Sequence, residues 1–278
     1  MHTTTAAAAA RPAPPDFSTL LQEALKKPGS VMEAYSAFYN YSIGNQLLAM
    51  WQCSLRGLEV GPIKTFPAWK EVGRTVRRGE KALQLCMPVT FKRRGAADTN
   101  GGDLDPDDSF TTGFIYKPNW FVLSQTEGAE IEVPPIPGWN KEQALTTLDI
   151  TEVPFTSTNG NSQGYARERE IAINPLAQLP HKTRFHETAH VILGHTSKAA
   201  FEDGEHPPRN LQEVEAESVA LLCCEALGLE GAEFCRGYIQ GWADGEPIPE
   251  QSAKRIMGAA DKILRAGRPA ATKTETIH

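Results

Sequence analysis

The run His186-Glu187-Thr188-Ala189-His190 constrains this chain more than any other feature. Two imidazoles four residues apart fall on one face of an α-helix, where both can reach a single ion. Phe185, Ala189, Val191, Ile192 and Leu193 make that helix apolar enough to need a core behind it, and Gly194 ends it. Glu187 leaves the helix beside the histidines, where it can accept a proton from a water polarised by the ion. Two imidazoles and one carboxylate suit zinc, or another divalent transition metal, with a fourth position left for water.

The carboxylate has to come from a second helix. Residues 210–228 read NLQEVEAESVALLCCEALG, a largely apolar segment holding Glu213, Glu215 and Glu217. All three compete for the metal. Glu213 and Glu217 are four apart and share a face, whereas Glu215 points roughly the other way. Glu213 is therefore read as the ligand and Glu217 as the group that orients a ligand imidazole. His195 follows the motif by five positions, one beyond the helical repeat. Tyr165 and Tyr238 could donate to a developing oxyanion. For these three a structural role is the first expectation.

The rest of the chain bounds the setting. Its 278 residues allow one large domain or two ordinary ones, and 40% apolar against 22% charged residues can build a core. There is no run of about 18 apolar residues, so no membrane-spanning helix is expected. Five cysteines without CxxC spacing argue for a reducing cytoplasm and against a cysteine zinc cluster. Residues 1–15 read as a disordered leader and 267–278 as a disordered tail. The proline-dense run 129–138 reads as a linker between residues 16–128 and 139–266.

Residues 16–128 mix helical and strand signals. Phe17 to Lys27 and Val31 to Leu55 have helical spacing, and Phe66 to Val72 is a short helix. Lys81 to Lys92 and Phe110 to Leu123 alternate as strands around the acidic, glycine-rich loop 95–109. Residues 139–266 are mostly helical, with helices expected at 139–148, 181–195, 210–228, 230–242 and 250–266. Strands are expected at Thr151 to Phe155 and Tyr165 to Ile173. The class is α+β.

Net charge is −6, yet Arg56 to Arg94 holds ten basic residues against three acids. Aromatics lie before and within this stretch, among them Tyr35, Phe38, Tyr39, Tyr41 and Phe91. Basic residues that track phosphates and aromatics that stack on bases are the ingredients of single-strand binding. The other reading is a solvated basic face over an aromatic core, and Trp51 and Trp69 fit the core better.

Three N-terminal runs, YSIGNQLLAMWQC (41–53), FPAWKEVGRTVRRGEKALQLCMPV (66–89) and FVLSQTEG (121–128), resemble the N-terminal domain of ArdC-type antirestriction proteins. The runs FHETAHVILGH (185–195), EVEAESVALLCCEALG (213–228) and GYIQGW (237–242) resemble the zincin-like metallopeptidase domain attached to it. The resemblance covers about residues 17–266. It implies a protein of plasmids, phages or integrative elements that binds single-stranded DNA and protects incoming DNA from host restriction. On the matching motifs, His186, His190 and an acid of EVEAE would be ligands and Glu187 the catalytic glutamate. The four residues between His190 and His195 depart from the family's shorter spacing. Candidate DNA contacts are Tyr41, Asn45, Arg74, Arg77, Arg78, Lys81, Lys92, Arg93 and Arg94.

Two other functions fit the same residues. One is a site-specific zinc metallopeptidase that cleaves a host regulator. The other is an accessory single-strand-binding protein of replication or transfer, whose zinc is structural.

Overall fold

The computed structural model describes residues 14–92, 110–133, 135–158, 161–197, 207–243 and 247–269. The leader up to residue 13, the tail from 270, the loop 95–109 and the candidate contacts Arg93 and Arg94 lie outside the described residues.

The N-terminal part opens with three helices, α1 (Phe17–Lys26), α2 (Ser30–Phe38) and α3 (Ile43–Arg56). Asp16 caps α1 by accepting from the Thr19 amide at 2.7 Å. The helical spacing from Val31 to Leu55 predicts one helix, but the chain breaks between Phe38 and Ile43. The turn formers Asn40 and Ser42 explain the break, since Ser42 sits in extended backbone at the N-cap of α3.

Short β1 (Ile63–Thr65) leads into α4 (Phe66–Glu71), which Thr65 caps and Pro67 starts, and then into β2 (Arg74–Val76). The two expected strands form one long antiparallel ribbon, β3 (Leu83–Lys92) and β4 (Phe110–Val122), with β1 on the far side of β4. β5 (Thr126–Gly128) pairs with β2. Trp69 is fully buried and donates its indole N–H to the Phe121 carbonyl at 2.9 Å, which ties α4 to the sheet.

After residue 138 come α5 (Lys141–Thr147) and a small sheet of β6 (Thr151–Glu152), β7 (Gly164–Arg167) and β8 (Glu170–Ile173), in the order β6-β8-β7. The run from Tyr165 to Ile173 is thus a hairpin and not one strand. Glu168, at φ +53°, makes its two-residue turn with Arg169. Four helices follow: α6 (Pro180–Ile192), α7 (Arg209–Ala226), α8 (Ala232–Ala243) and α9 (Glu250–Ala266). No helix among the described residues is long and apolar enough to cross a membrane. The architecture is mixed α+β with a helical C-terminal part.

The apolar interior is continuous across the proline-dense run. Leu21, Tyr35 and Leu48 share one core with Leu221, Leu222 and Ile256. Polar bonds reinforce that seam. Ser18 donates its hydroxyl to the Ile248 carbonyl at 2.6 Å and its backbone amide to Glu250 Oε2 at 2.8 Å. Arg268 donates to the Tyr35 hydroxyl at 3.0 Å and to the Tyr39 carbonyl at 2.7 Å. Buried Arg236 donates to the Leu25 carbonyl at 2.8 Å and pairs with buried Glu225.

A buried ion pair that loses one partner leaves an uncompensated charge, at a cost of about 3–5 kcal/mol. Arg236→Met should therefore lower stability by about that much in urea denaturation, and Glu225→Met added to it should restore most of the loss.

Candidate metal centre

Helix α6 lies between the small sheet and α7. Pro180 occupies its first turn, where the missing N–H is not needed. Phe185, Ala189 and Val191 are buried, and Phe185 meets Trp139 edge-on at 5.1 Å between ring centroids. This fixes the opposite face of α6, which carries His186 and His190 one turn apart with their Nε2 atoms separated by 3.1 Å. Glu213, in the second turn of α7, brings its Oε2 to 3.4 Å from His186 Nε2 and 3.7 Å from His190 Nε2. The three ligand atoms lie within 4.8 Å of one another.

Behind the cluster, His186 Nδ1 is 2.7 Å from Glu217 Oε2, and Lys182 Nζ is 2.5 Å from the other oxygen of the same carboxylate. A carboxylate can only accept, so His186 donates through Nδ1. Burial works against charge on His186, but its bonds to Glu213 and Glu217 outweigh that and raise its pKa to about 9. Burial would raise Glu217, yet His186 and Lys182 hold it down near about 2. Glu213, bonded to His186 and His190, is driven well below the usual carboxylate range. The site thus favours positive charge.

The donor set fits a divalent cation. With His186 Nδ1 spent as a donor to Glu217, the neutral ring has a lone pair at Nε2, the atom that converges with Glu213 Oε2 and His190 Nε2. A tetrahedral ion with ligands at about 2.0–2.1 Å has ligand–ligand edges of about 3.3 Å. The observed separations of 3.1, 3.4 and 3.7 Å bracket that edge.

Glu187 is 8% exposed beside the cluster, and burial raises its pKa above the ordinary carboxylate value although His186 and His190 oppose the shift. A cleft of about 1180 Å³ opens over these residues. Gly164 and Tyr165 of β7 form one wall, and Phe234 and Tyr238 of α8 stand on the other, 67% and 41% exposed. Tyr165 packs on Phe155 at 5.8 Å, with its hydroxyl 3.3 Å from that of Thr156. His195 and Glu215 stay out of the ligand cluster and sit behind His190.

The candidate DNA contacts do not gather in one place. Asn45 is buried, and its amide both donates to and accepts from the Cys86 backbone at 2.9 and 2.8 Å, which locks α3 to β3. The Tyr41 hydroxyl donates to the Ile63 carbonyl at 3.2 Å, and burial raises its pKa to about 12. Arg74 donates to Thr126 Oγ1 at 2.8 Å and to the Thr126 carbonyl at 3.1 Å. The polar atoms of these three are committed to bonds within the fold. Burial and internal pairing could not be read from the residue types. Arg77 pairs with Glu80 at 3.2 Å but remains half exposed. Arg78 and Lys81 are exposed on the same turn, whose Gly79 has φ +90°. Lys92 ends β3, at the far end of the ribbon.

Fold and site together define a mixed α+β protein whose helical C-terminal part presents two histidines and a glutamate to a shared point beneath an open cleft. Residues 22–113 match the family described as the N-terminal domain of anti-restriction factor ArdC. Two solved structures of the antirestriction protein ArdC from the R388 plasmid are similar to this chain. The Mn(II)-bound form is 16% identical with a TM-score of 0.47, and the metal-free form is 15% identical with a TM-score of 0.48. Each alignment covers 90% of this chain and 97% of that one. No curated protein sequence matches the chain.

Gly164 lets β7 approach α6 closely. A Cβ there would lie 2.8 Å from Thr183 Cγ2, 2.9 Å from the Ala172 carbonyl oxygen and 3.0 Å from Glu187 Oε1. Overpacking of this kind costs about 1–3 kcal/mol. Gly164→Ala should lower the thermal midpoint accordingly, and an unchanged midpoint would show that β7 and α6 are not in contact.

Proposed function

We propose that the chain is an antirestriction protein of a mobile element that works in the cytoplasm, binding single-stranded DNA through residues 16–128 while holding one divalent ion, zinc in first place, in residues 139–266. His186, His190 and Glu213 are the ligands, Glu217 orients His186, and Glu187 handles protons beside them. The observation that carries the metal reading is the convergence of His186, His190 and Glu213, whose ligand atoms all lie within 4.8 Å of one another. The DNA reading is supported by the family match over residues 22–113 and by the exposed basic turn Arg77-Arg78-Gly79-Glu80-Lys81.

A divalent ion held there supplies Lewis-acid polarisation of an oxygen ligand. The chain's own residues do the rest. Glu217 fixes the His186 ring through Nδ1. Glu187, with its pKa raised by burial, can take up a proton at its carboxylate and release it again, as a general base that turns acid must. Tyr165 and Tyr238 offer hydroxyls at the walls of the cleft.

A second reading is a site-specific zinc metallopeptidase acting on a host protein. The open cleft beside the edge strand β7 favours it, since an extended peptide can add to such an edge. A purely structural ion fits less well. A closed zinc site takes four protein ligands, and the described residues supply three.

Elemental analysis should find one transition-metal ion per chain, lost in the His186→Ala/His190→Ala double variant. Glu213→Ala should cost more metal than Glu215→Ala. Full stoichiometry in the double variant would remove this ligand set.

Single-strand affinity should fall with salt by about 0.7 log units per phosphate contact for each tenfold rise. Arg78→Glu/Lys81→Glu should weaken it for all sequences alike, because phosphate contacts carry no base information. Glu187→Gln should leave that binding and the metal in place while abolishing any peptide hydrolysis. Protection of transferred DNA in a restricting host then separates the readings. Loss of protection only in the Arg78/Lys81 variant supports action through DNA, and loss only in Glu187→Gln overturns that in favour of proteolysis.

A further inference from the structure

His195 is one residue too far along to share the helix face of His186 and His190. Helix α6 ends at Ile192, and Gly194 takes φ +78°, the left-handed conformation that turns the chain back. The His195 amide then bonds to the His190 carbonyl at 2.9 Å. The turn carries the His195 ring behind His190, where the two Nδ1 atoms are 2.9 Å apart. On its other side, His195 Nε2 is 2.9 Å from Glu215 Oε2, and Arg255 of α9 reaches the same oxygen at 3.1 Å. The His195 and Glu215 side chains are 1% and 0% exposed.

We propose that His195, backed by Glu215 and Arg255, is a positioning residue that fixes the tautomer of His190 and so turns the His190 Nε2 lone pair toward the metal. This rests on the reading of His186, His190 and Glu213 as ligands. The direction of each bond follows from counting hydrogens. The Glu215 carboxylate, held by the Arg255 guanidinium, can only accept, so His195 Nε2 carries a hydrogen. A neutral imidazole has one such hydrogen, which leaves His195 Nδ1 as an acceptor. His190 must then donate through Nδ1, and its Nε2 is bare. That bare nitrogen is the one facing His186 Nε2 at 3.1 Å and Glu213 Oε2 at 3.7 Å.

The opposite assignment has Arg255 donating to His195 Nε2, which would reverse the chain and protonate His190 at Nε2. That contact is 3.4 Å, against 2.9 Å for the bond to Glu215, and it would set a nitrogen lone pair against a carboxylate. Arg255 is held elsewhere, donating to the Leu193 carbonyl at 3.1 Å.

The two ligand histidines are thus supported alike, over different spans. His186 donates directly to Glu217, which is neutralised by Lys182. His190 donates to His195, which donates to Glu215, which is neutralised by Arg255. An extra imidazole bridges the longer gap. Groups that orient a ligand histidine in this way are commonly worth about 10–100-fold in metal affinity.

The test uses the full chain. Long-range nitrogen–proton NMR on histidine-labelled, metal-free protein should show hydrogen on His190 Nδ1 and His195 Nε2, with His195 Nδ1 bare. Hydrogen on His195 Nδ1 with His190 Nδ1 bare would overturn the proposal even if every variant failed to fold. Zinc affinity by chelator competition should fall about 10–100-fold in His195→Phe, which fills the space with no acceptor. His195→Asn should recover most of the loss, because its Oδ1 stands where Nδ1 stood. A parent chain that takes up no zinc would overturn the ligand reading and this one with it. A parent that binds zinc, with His195→Phe binding it equally tightly, overturns the role of His195 alone.

Discussion

Two of the four acids on α7, Glu215 and Glu217, are essentially without solvent, and a carboxylate in that position is tolerated only beside a cation or a hydrogen donor. Much of the C-terminal part is arranged around that requirement. Lys182 and His186 of α6 meet Glu217, while His195 and Arg255 of α9 meet Glu215. Glu213, more exposed at the mouth of the cleft, has two histidine nitrogens against it among the described residues. Supplying charge to these acids therefore locks α6, α7 and α9 together and leaves one point where His186, His190 and Glu213 converge. The candidate metal centre follows from the way the helix packs its acids, more than from the histidine pair alone.

Coupling between the two parts of the chain rests on the same helices. The side of α7 that does not meet α6 joins the core of α2, and α9 packs on α1 and α3. Arg236 and Glu225 extend that seam to the end of α1. The part that carries the family match and the part that carries the cleft thus share an apolar interior, although the proline-dense run divides them in sequence. A change in how α7 sits, at either end, has a packed route to the other part.

On the N-terminal side, the basic stretch is less uniform than its charge suggests. Arg74 is a strap across β5 and Asn45 a clamp on β3, so their polar groups hold backbone instead of meeting solvent. Arg78 and Lys81, at the turn around Gly79, keep their side chains exposed. Position within the fold, not residue type, separates the two kinds.

Local chemistry alone determined a good deal. The spacing of His186 and His190, the apolar flank that forces their helix against a core, the four-residue step from Glu213 to Glu217 and the alternation of the ribbon strands all act within a few residues, and so they could be read directly. The tertiary structure decided what depends on partners far along the chain. Glu215 and Glu217 differ little in sequence, yet one meets the histidine after the left-handed glycine and the other meets a ligand histidine itself. Val31 to Leu55 has continuous helical spacing, but the turn at residues 39–42 lets α2 face α7 while α3 faces β3 and α9. Hydrogen-bond partners and burial are set by which helices cross, and periodicity carries no record of the crossing.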